Sequence, residues 1–139
     1  MQGGNVPLPF GHIKLTPALH SSELEQGNDH SLPLGTPGGF VVFTGGKKVY
    51  HAGDTALFSD MKLIGRGGLD LAMLPIGDWY TMGIDDAVDA LDLLTPKLAL
   101  PMHYNTFDNI RVDPQAFAAR AFARGHVVQV LEPGGTLEF

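Results

Sequence analysis

The sequence predicts an α/β fold in which helices cover a mixed β-sheet. Two strand-like segments, residues 39–44 and 48–52, are separated by Gly45 and Gly46 and indicate a hairpin. Further along, strand-like and helix-like segments alternate, which is typical of parallel strands joined by helices. Hydrophobic residues make up 44% of the chain and charged residues 17%, which is a globular composition.

The part of the chain before the hairpin is expected to hold a single strand. Residues 1–10 are rich in glycine and proline and are predicted to be irregular. Residues 13–19 are apolar enough for a short strand that ends at His20. Residues 21–38 contain three glycines and two prolines, so they are predicted to form a loop. A loop of this length is usually functional or mobile.

The part after the hairpin is expected to alternate between helix and strand. Pro96 ends one helix, Asp113 caps another, and Gly65 closes a short one. The predicted elements are a helix at 57–64, a strand at 69–76, a helix at 84–94, a strand at 98–102, a helix from Asp113 to Gly125 and a last strand at 126–131. We expect all 139 residues to belong to one domain or to part of one.

The charge and the absence of cysteine exclude several kinds of function. The net charge is −6 and there is no basic stripe, so general binding to nucleic acid is not expected. The chain has no cysteine, which excludes disulfides, thiolate zinc sites and a cysteine nucleophile. No apolar run is long enough to span a membrane. We therefore expect a cytoplasmic protein whose metal ligands, if any, are His, Asp or Glu.

Three potential metal ligands stand at matching places. His20, Asp54 and His103 each follow an apolar strand where the chain turns into a loop. A single histidine in such a place is more often a packing or capping residue, but the shared location favours a metal site. Imidazole and carboxylate suit zinc, iron or manganese. Asp54 also has a second interpretation, as the cap of a helix that begins near Leu57, and spacing alone does not choose between cap and ligand.

Several sequence blocks, in order, resemble one protein family. They are LTPALHSS at 15–22, GTPGGF at 35–40, YHAGDT at 50–55, LFSDMKLIG at 57–65, LPIGD at 74–78 with TMG at 81–83, and PMHYNTF at 101–107. These blocks are similar to those of prokaryotic metal-dependent hydrolases within the metallo-β-lactamase superfamily. Glycine-aspartate-threonine alone would be a weak signal, whereas several blocks in the same order are a specific one.

The resemblance implies a fold, a metal site and a reaction. The fold would be the carboxy-terminal portion of an αββα sandwich. By position in the family, His20 binds one metal, His103 binds a second and Asp54 bridges the two. Asp54 and His103 would then be the catalytic residues. The divalent metals would be zinc, with manganese or iron as alternatives, and they would activate a water for attack on an ester-, amide- or phosphodiester-type bond.

The resemblance also implies roles for residues beside the site. Tyr104, Asn105 and Thr106 would lie next to the second metal, where they could orient His103 or contact substrate, although a satisfied polar turn is the alternative. Trp79, in a loop after a predicted strand, could line a pocket or simply pack. The other histidines are expected to be structural or without a role, apart from a small chance that His30 reaches substrate. They are His12, His30, His51 and His126.

One feature of the superfamily is missing from this sequence. Its His-x-His-x-Asp-His segment supplies most ligands of the first metal, and the six histidines here are dispersed along the chain. The resemblance therefore implies a partial domain with exposed strand edges and an uncovered apolar sheet face, which would be either a fragment or a truncated gene product. A second copy or another chain could complete it. The expected partner is a small-molecule substrate, and the alternatives are a non-catalytic metal-binding or interaction module and a structural remnant without metal.

Overall fold

A six-stranded mixed sheet forms the centre of the computed structural model, which describes residues 3–27 and 30–139. The strands of this sheet have the order β1-β2-β5-β6-β7-β8. They are β1 (Asn5–Leu8), β2 (Gly11–Pro17), β5 (Gly38–Thr44), β6 (Lys47–His51), β7 (Leu69–Pro75) and β8 (Pro96–Met102), with β3 (Glu23–Glu25) and β4 (Ser31–Pro33) in a separate two-stranded sheet. The mixed sheet and the central hairpin predicted from the sequence are confirmed.

The strand directions decide where a functional site can form. Strands β2 and β6 both pair antiparallel with β5, so they run in the same direction. Strands β7 and β8 continue parallel to β6. The carboxyl ends of β2, β6, β7 and β8 therefore lie along one edge of the sheet. In open α/β sheets, ligands bind in the crevice outside such strand ends.

Three helices complete the fold: α1 (Met61–Gly65), α2 (Ile84–Leu94) and α3 (Pro114–Ala123). The second helix buries the apolar stripe predicted for it, and the helix cap predicted at Asp113 is present, since its carboxylate accepts a hydrogen bond from Gln115 N–H at 2.9 Å. The core lies between the helices and one face of the sheet. Its largest members are Tyr50, Met61, Leu69, Leu74, Ile76, Met82, Leu91, Leu94 and Phe117.

The opposite face of the sheet is apolar and less buried. Val42, Val49, Met73, Leu98 and Leu100 point to this side, and each of them is half-buried. Strands β1 and β8 form the two edges of the sheet. Within the part of the chain that the structure describes, no helix is long and apolar enough to cross a membrane.

Two stretches before the hairpin contain more strand than the sequence predicts. The expectation that residues 1–10 are irregular is wrong for the described part, because Asn5–Leu8 forms β1 and pairs with β2. The predicted loop at 21–38 contains the small β3–β4 hairpin, while Asn28 and Asp29 lie outside the described residues. Both cases are strand pairings that a local pattern does not show.

The short first helix begins later than predicted. It starts at Met61 rather than Leu57, and Asp60 is its N-cap residue. The backbone N–H of Ala56 donates to Leu19 O at 3.0 Å, so the chain just before Leu57 is hydrogen-bonded to the loop after β2 and not within a helix. Because the helix starts at Met61, Asp54 is not its cap. The capping interpretation of Asp54 is wrong.

The predicted last strand at 126–131 is reduced to a single bridge. Ala99 N–H donates to Val127 O at 2.9 Å, and Gln129 N–H donates to Ala99 O at 2.9 Å. The next residue of β8 that faces this edge is Pro101, which has no N–H to donate. The prediction of a long strand is therefore wrong, because its neighbour cannot continue the ladder.

Candidate active site

The structure places the three predicted ligands at the same edge of the sheet. His20 follows β2, Asp54 follows β6 and His103 follows β8 directly. Because these strands run in the same direction, their carboxyl ends bring the three side chains to one side of the molecule. The topology of the sheet therefore explains why the three predicted ligands lie at the same edge, as the sequence pattern indicated.

Asp54 and His103 are in direct contact. The distance from His103 Nε2 to Asp54 Oδ2 is 3.3 Å, and the two side chains are 30% and 46% exposed, respectively. His103 Nδ1 is buried and has no hydrogen-bond partner among the residues that the structure describes. The imidazole therefore presents Nε2 to the carboxylate and to solvent, and this nitrogen is the one available for ligation.

His20 lies in a cleft on the other side of Asp54. The cleft has a volume of about 540 Å³, and its lining includes Asp54, Glu23 and Glu25. The Nδ1 atom of His20 is 2.8 Å from Ser21 O, and a carbonyl oxygen can only accept, so Nδ1 carries the proton. This leaves Nε2 of His20 with a free lone pair, which is the arrangement usual for metal-binding histidine.

Thr55 connects the loops that carry His20 and Asp54. Its side chain is fully buried, and its hydroxyl accepts a hydrogen bond from Leu19 N–H at 2.9 Å and donates to Ala56 O at 2.8 Å. Its carbonyl oxygen accepts from Met82 N–H at 3.0 Å. Since Leu19 precedes His20 and Thr55 follows Asp54, these bonds fix the separation of the two candidate ligands.

Backbone strain is concentrated in the loops after β7 and β8. Four residues there have positive φ: Asp78 (63°), Trp79 (57°), His103 (53°) and Asn105 (59°). Such conformations cost roughly 1–3 kcal/mol each and cluster at functional sites. The two loops also approach closely, because a Cβ on Gly77 would lie 2.5 Å from His103 O.

The residues after His103 form a closed polar turn. Asn105 N–H donates to Ile110 O at 2.8 Å, and its side-chain oxygen accepts from Val112 N–H at 2.8 Å. Asn105 therefore has the structural role that was one of its two interpretations. Of its neighbours, Tyr104 is half-buried and Thr106 is exposed, and burial raises the pKa of the Tyr104 hydroxyl.

Three other histidines have structural partners. His51 Nδ1 accepts a hydrogen bond from Gly53 N–H at 3.1 Å, so it supports the turn before Asp54. His12 stacks on Phe43 with 4.1 Å between ring centroids. His126 Nε2 lies 2.6 Å from Asp92 Oδ1, and this hydrogen bond is the main cause that lowers the pKa of the Asp92 carboxyl.

The donor set partly fits a divalent metal. Two ligands about 2.1 Å from a tetrahedral ion are about 3.4 Å apart, and Asp54 Oδ2 and His103 Nε2 are separated by 3.3 Å. Among residues 3–27 and 30–139, however, no three His, Asp or Glu side chains converge on one point that could hold a metal. Asp54 and His103 are therefore spaced as two ligands of one metal ion would be. His20 lines the adjacent cleft, and its side chain does not converge with theirs on one point.

Sequence reasoning missed two features of this edge. The acidic side chains Glu23 and Glu25 line the cleft, because β3 carries them there, and a three-residue strand gives almost no sequence signal. The second feature is an exposed aromatic group in the two strained loops, in which Trp79, expected either to line a pocket or to pack, lies beside Tyr80 and Phe107. Positive φ is uncommon for a residue such as Trp79, whereas His103 and Asn105 belong to residue types in which it is enriched.

The comparisons with known proteins agree on one family. A family model described as a β-lactamase superfamily domain matches residues 2–104. A metal-dependent hydrolase of Opitutus terrae is 59% identical over 138 residues, which are 99% of this chain and 61% of that protein. The chain thus spans about 60% of the length of such relatives.

Solved structures give the same result for the fold. The structure of Igni18, described as a novel metallo hydrolase from the hyperthermophilic archaeon Ignicoccus hospitalis, is 44% identical with a TM-score of 0.85 and covers 100% of this chain and 60% of that one. The metallo-β-lactamase fold protein YhfI of Bacillus subtilis is 11% identical with a TM-score of 0.70, covers 95% of this chain and 51% of that one, and supports the fold alone. The chain therefore belongs to the metallo-β-lactamase superfamily.

Proposed function

We propose that the protein is a metal-dependent hydrolase in which Asp54 and His103 are the catalytic residues and His20, Asp54 and His103 bind divalent metal. The observation that carries the proposal is the contact of 3.3 Å between Asp54 Oδ2 and His103 Nε2 at the carboxyl ends of parallel strands. The relatives named as metal-dependent hydrolases support the same function. Zinc is the expected ion, with manganese or iron as alternatives, because the donors are imidazole and carboxylate.

The chain's own residues would bind and orient the reacting groups. Asp54 presents a half-exposed carboxylate, and His103 presents Nε2 from a backbone held in a left-handed conformation. Asp54 and His103 would hold the divalent ion, and the chemistry that it would supply there is a lowered pKa of water near neutral pH. The bond attacked would be of the ester, amide or phosphodiester type. His20, with its proton on Nδ1, offers Nε2 from the adjoining cleft.

The composition of the chain suggests a class of substrate and a location. A net charge of −6 and the acidic side chains in the cleft disfavour long polyanions, so we propose a small-molecule substrate. The absence of cysteine fits a cytoplasmic protein, which we propose as its location. A second copy or another polypeptide could cover the half-buried apolar face of the sheet.

A second candidate function is a non-catalytic metal-binding module. It is favoured by one observation, namely that no third His, Asp or Glu joins Asp54 and His103 within the described ranges. A site with two protein ligands leaves most coordination positions to solvent. Such a site would bind metal weakly without positioning a substrate.

The proposed hydrolysis is tested with the Asp54→Asn variant. The chain is loaded with zinc or manganese and assayed on a phosphodiester, a lactone and a β-lactam. Loss of an outer partner of a metal ligand already costs about 10–100-fold in activity or metal affinity, so loss of a ligand should reduce turnover by more than 100-fold. The matched control is Asp86→Asn, on the exposed side of α2, which should retain full activity.

Three outcomes separate the candidates. Turnover that requires metal and is lost in Asp54→Asn supports the hydrolase. Metal binding that depends on Asp54 without any turnover favours the binding module. Turnover that survives both chelation and Asp54→Asn contradicts the proposed site.

A further inference from the structure

Three aromatic side chains are exposed beside the candidate site. Trp79 is 68% exposed, Tyr80 is 52% exposed and Phe107 is 45% exposed. The rings of Trp79 and Tyr80 have centroids 6.2 Å apart, and those of Tyr80 and Phe107 have centroids 6.1 Å apart. We call these three residues the aromatic patch. It joins the loop after β7 to the loop after β8, which begins with His103.

Hydrogen bonds hold the backbone of the loop after β7 that carries two of the aromatic side chains. Asp78 N–H donates to Met82 O at 3.0 Å, and the Asp78 carboxylate accepts from Trp79 N–H at 2.8 Å. Asp78 and Trp79 both have positive φ, a strained conformation that persists only where surrounding contacts impose it. Two bulky aromatic side chains are therefore kept in solvent at a cost in backbone energy, which points to a functional role.

The patch is connected directly to the candidate ligands. Met82, whose carbonyl oxygen fixes Asp78, donates its own N–H to Thr55 O at 3.0 Å, and Thr55 follows Asp54. Gly77 approaches His103 so closely that a Cβ would lie 2.5 Å from His103 O. The patch thus lies on the His103 side of Asp54, whereas the acidic cleft lies on the His20 side.

The size of the patch argues for a small ligand. A fully buried aromatic side chain contributes about 150–250 Å² of area, so three of them offer at most about 450–750 Å². A stable protein–protein interface needs about 800 Å² from each partner. Moreover, part of the surface of each of these exposed side chains is already covered, so the available area is well below that requirement.

We propose that the aromatic patch is the substrate-binding wall of this site, and that the substrate carries an aromatic or other planar apolar group next to the bond to be cleaved. This inference rests on the proposed function for the position of that bond. The binding of a planar ring by Trp79, Tyr80 and Phe107 does not itself require a metal. Ring binding and metal-dependent hydrolysis can therefore be measured separately.

The fluorescence of Trp79 reports on the patch, because it is the only tryptophan in the chain. Benzamide is titrated into the metal-free chain with excitation at a wavelength that only tryptophan absorbs, and cyclohexanecarboxamide serves as the saturated, non-planar comparison. We expect a saturable change with benzamide and at least fivefold weaker binding of the cyclohexyl compound. Tyr80→Ala and Phe107→Ala should each weaken benzamide binding by about two- to tenfold, the value of one aromatic contact.

Two controls connect the result to the patch and separate it from metal chemistry. Phe122→Ala removes a phenylalanine that is 79% exposed on α3 and should leave benzamide binding unchanged. Asp86→Asn, on the exposed side of α2, should also leave it unchanged, and because the titration is made without metal, a failed metal site would not hide a working patch. The inference is overturned by a response that does not saturate, that is equal for both compounds, or that is unaffected by Tyr80→Ala. It is also overturned if Trp79 fluorescence changes with protein concentration alone, since self-association would then occupy the patch.

Discussion

Single residues at the edge of the sheet have distinct tasks. Asp54 and His103 present ligand atoms to each other at 3.3 Å, while His51 and Asn105 use their side chains to hold the backbone of the adjacent turns. Thr55 does not face solvent and ties the His20 loop to the Asp54 loop. The residues that can do chemistry thus depend on neighbours whose side chains form hydrogen bonds within the fold.

At this scale we predict that Thr55→Val lowers stability and that Thr55→Ser does so much less. Valine has a similar shape but leaves the Leu19 N–H and the Ala56 carbonyl without the hydroxyl that pairs with both. An unpaired buried donor costs about 1–3 kcal/mol of unfolding free energy, to be measured by urea denaturation. Equal stability of the valine and serine variants would show that the hydroxyl does not hold these loops together.

Packing between elements aligns the strand ends that carry the site. The loops after β7 and β8 approach so closely that position 77 has no room for a side chain. A Cβ there would lie 2.5 Å from His103 O and 2.9 Å from Ile110 Cβ. Gly77 is therefore required by contact rather than by its own φ, and its absence of a side chain sets the position of His103 relative to the aromatic patch.

We accordingly predict that Gly77→Ala destabilises the chain by about 1–3 kcal/mol, the usual cost of overpacking a core. The variant should also weaken metal binding, because His103 must move to relieve the clash. Gly35→Ala is the matched control, since a Cβ at that position meets nothing within 4 Å, and it should change stability by less than about 0.5 kcal/mol. If both variants unfold at the same urea concentration, the close approach at Gly77 is not a constraint.

Across the whole molecule, the sequence predicted those elements whose signals are local. The turn at Gly45 and Gly46, the apolar stripe of α2 and the cap at Asp113 depend on a few adjacent residues, and all three are present. The strand β1 escaped prediction because it exists only through pairing with β2. The last strand was overpredicted because Pro101, on a different element, removes the donor it would need.

In the candidate site, too, the features with a local sequence signal could be predicted and those imposed by tertiary contacts could not. The edge that carries His20, Asp54 and His103 could be predicted, since each residue follows an apolar strand and the order of blocks resembles one family. The left-handed backbone of Trp79 could not, because tertiary contacts impose it on a residue type that rarely adopts it. For Trp79 the sequence left pocket lining and packing open, and its exposure in the aromatic patch follows from this loop conformation.

The central claim is that His20 and His103 bind metal at this edge, and the most direct measurement is a long-range proton–nitrogen NMR spectrum of the six histidines during addition of zinc. We predict that Nε2 of His20 and of His103 shifts to the position of a metal-bound imidazole, while Nδ1 of His20 keeps its proton. The rings of His12, His51 and His126 should remain unchanged, because they have structural partners. Unchanged spectra of His20 and His103 at saturating zinc, or shifts confined to the other four histidines, would contradict the claim.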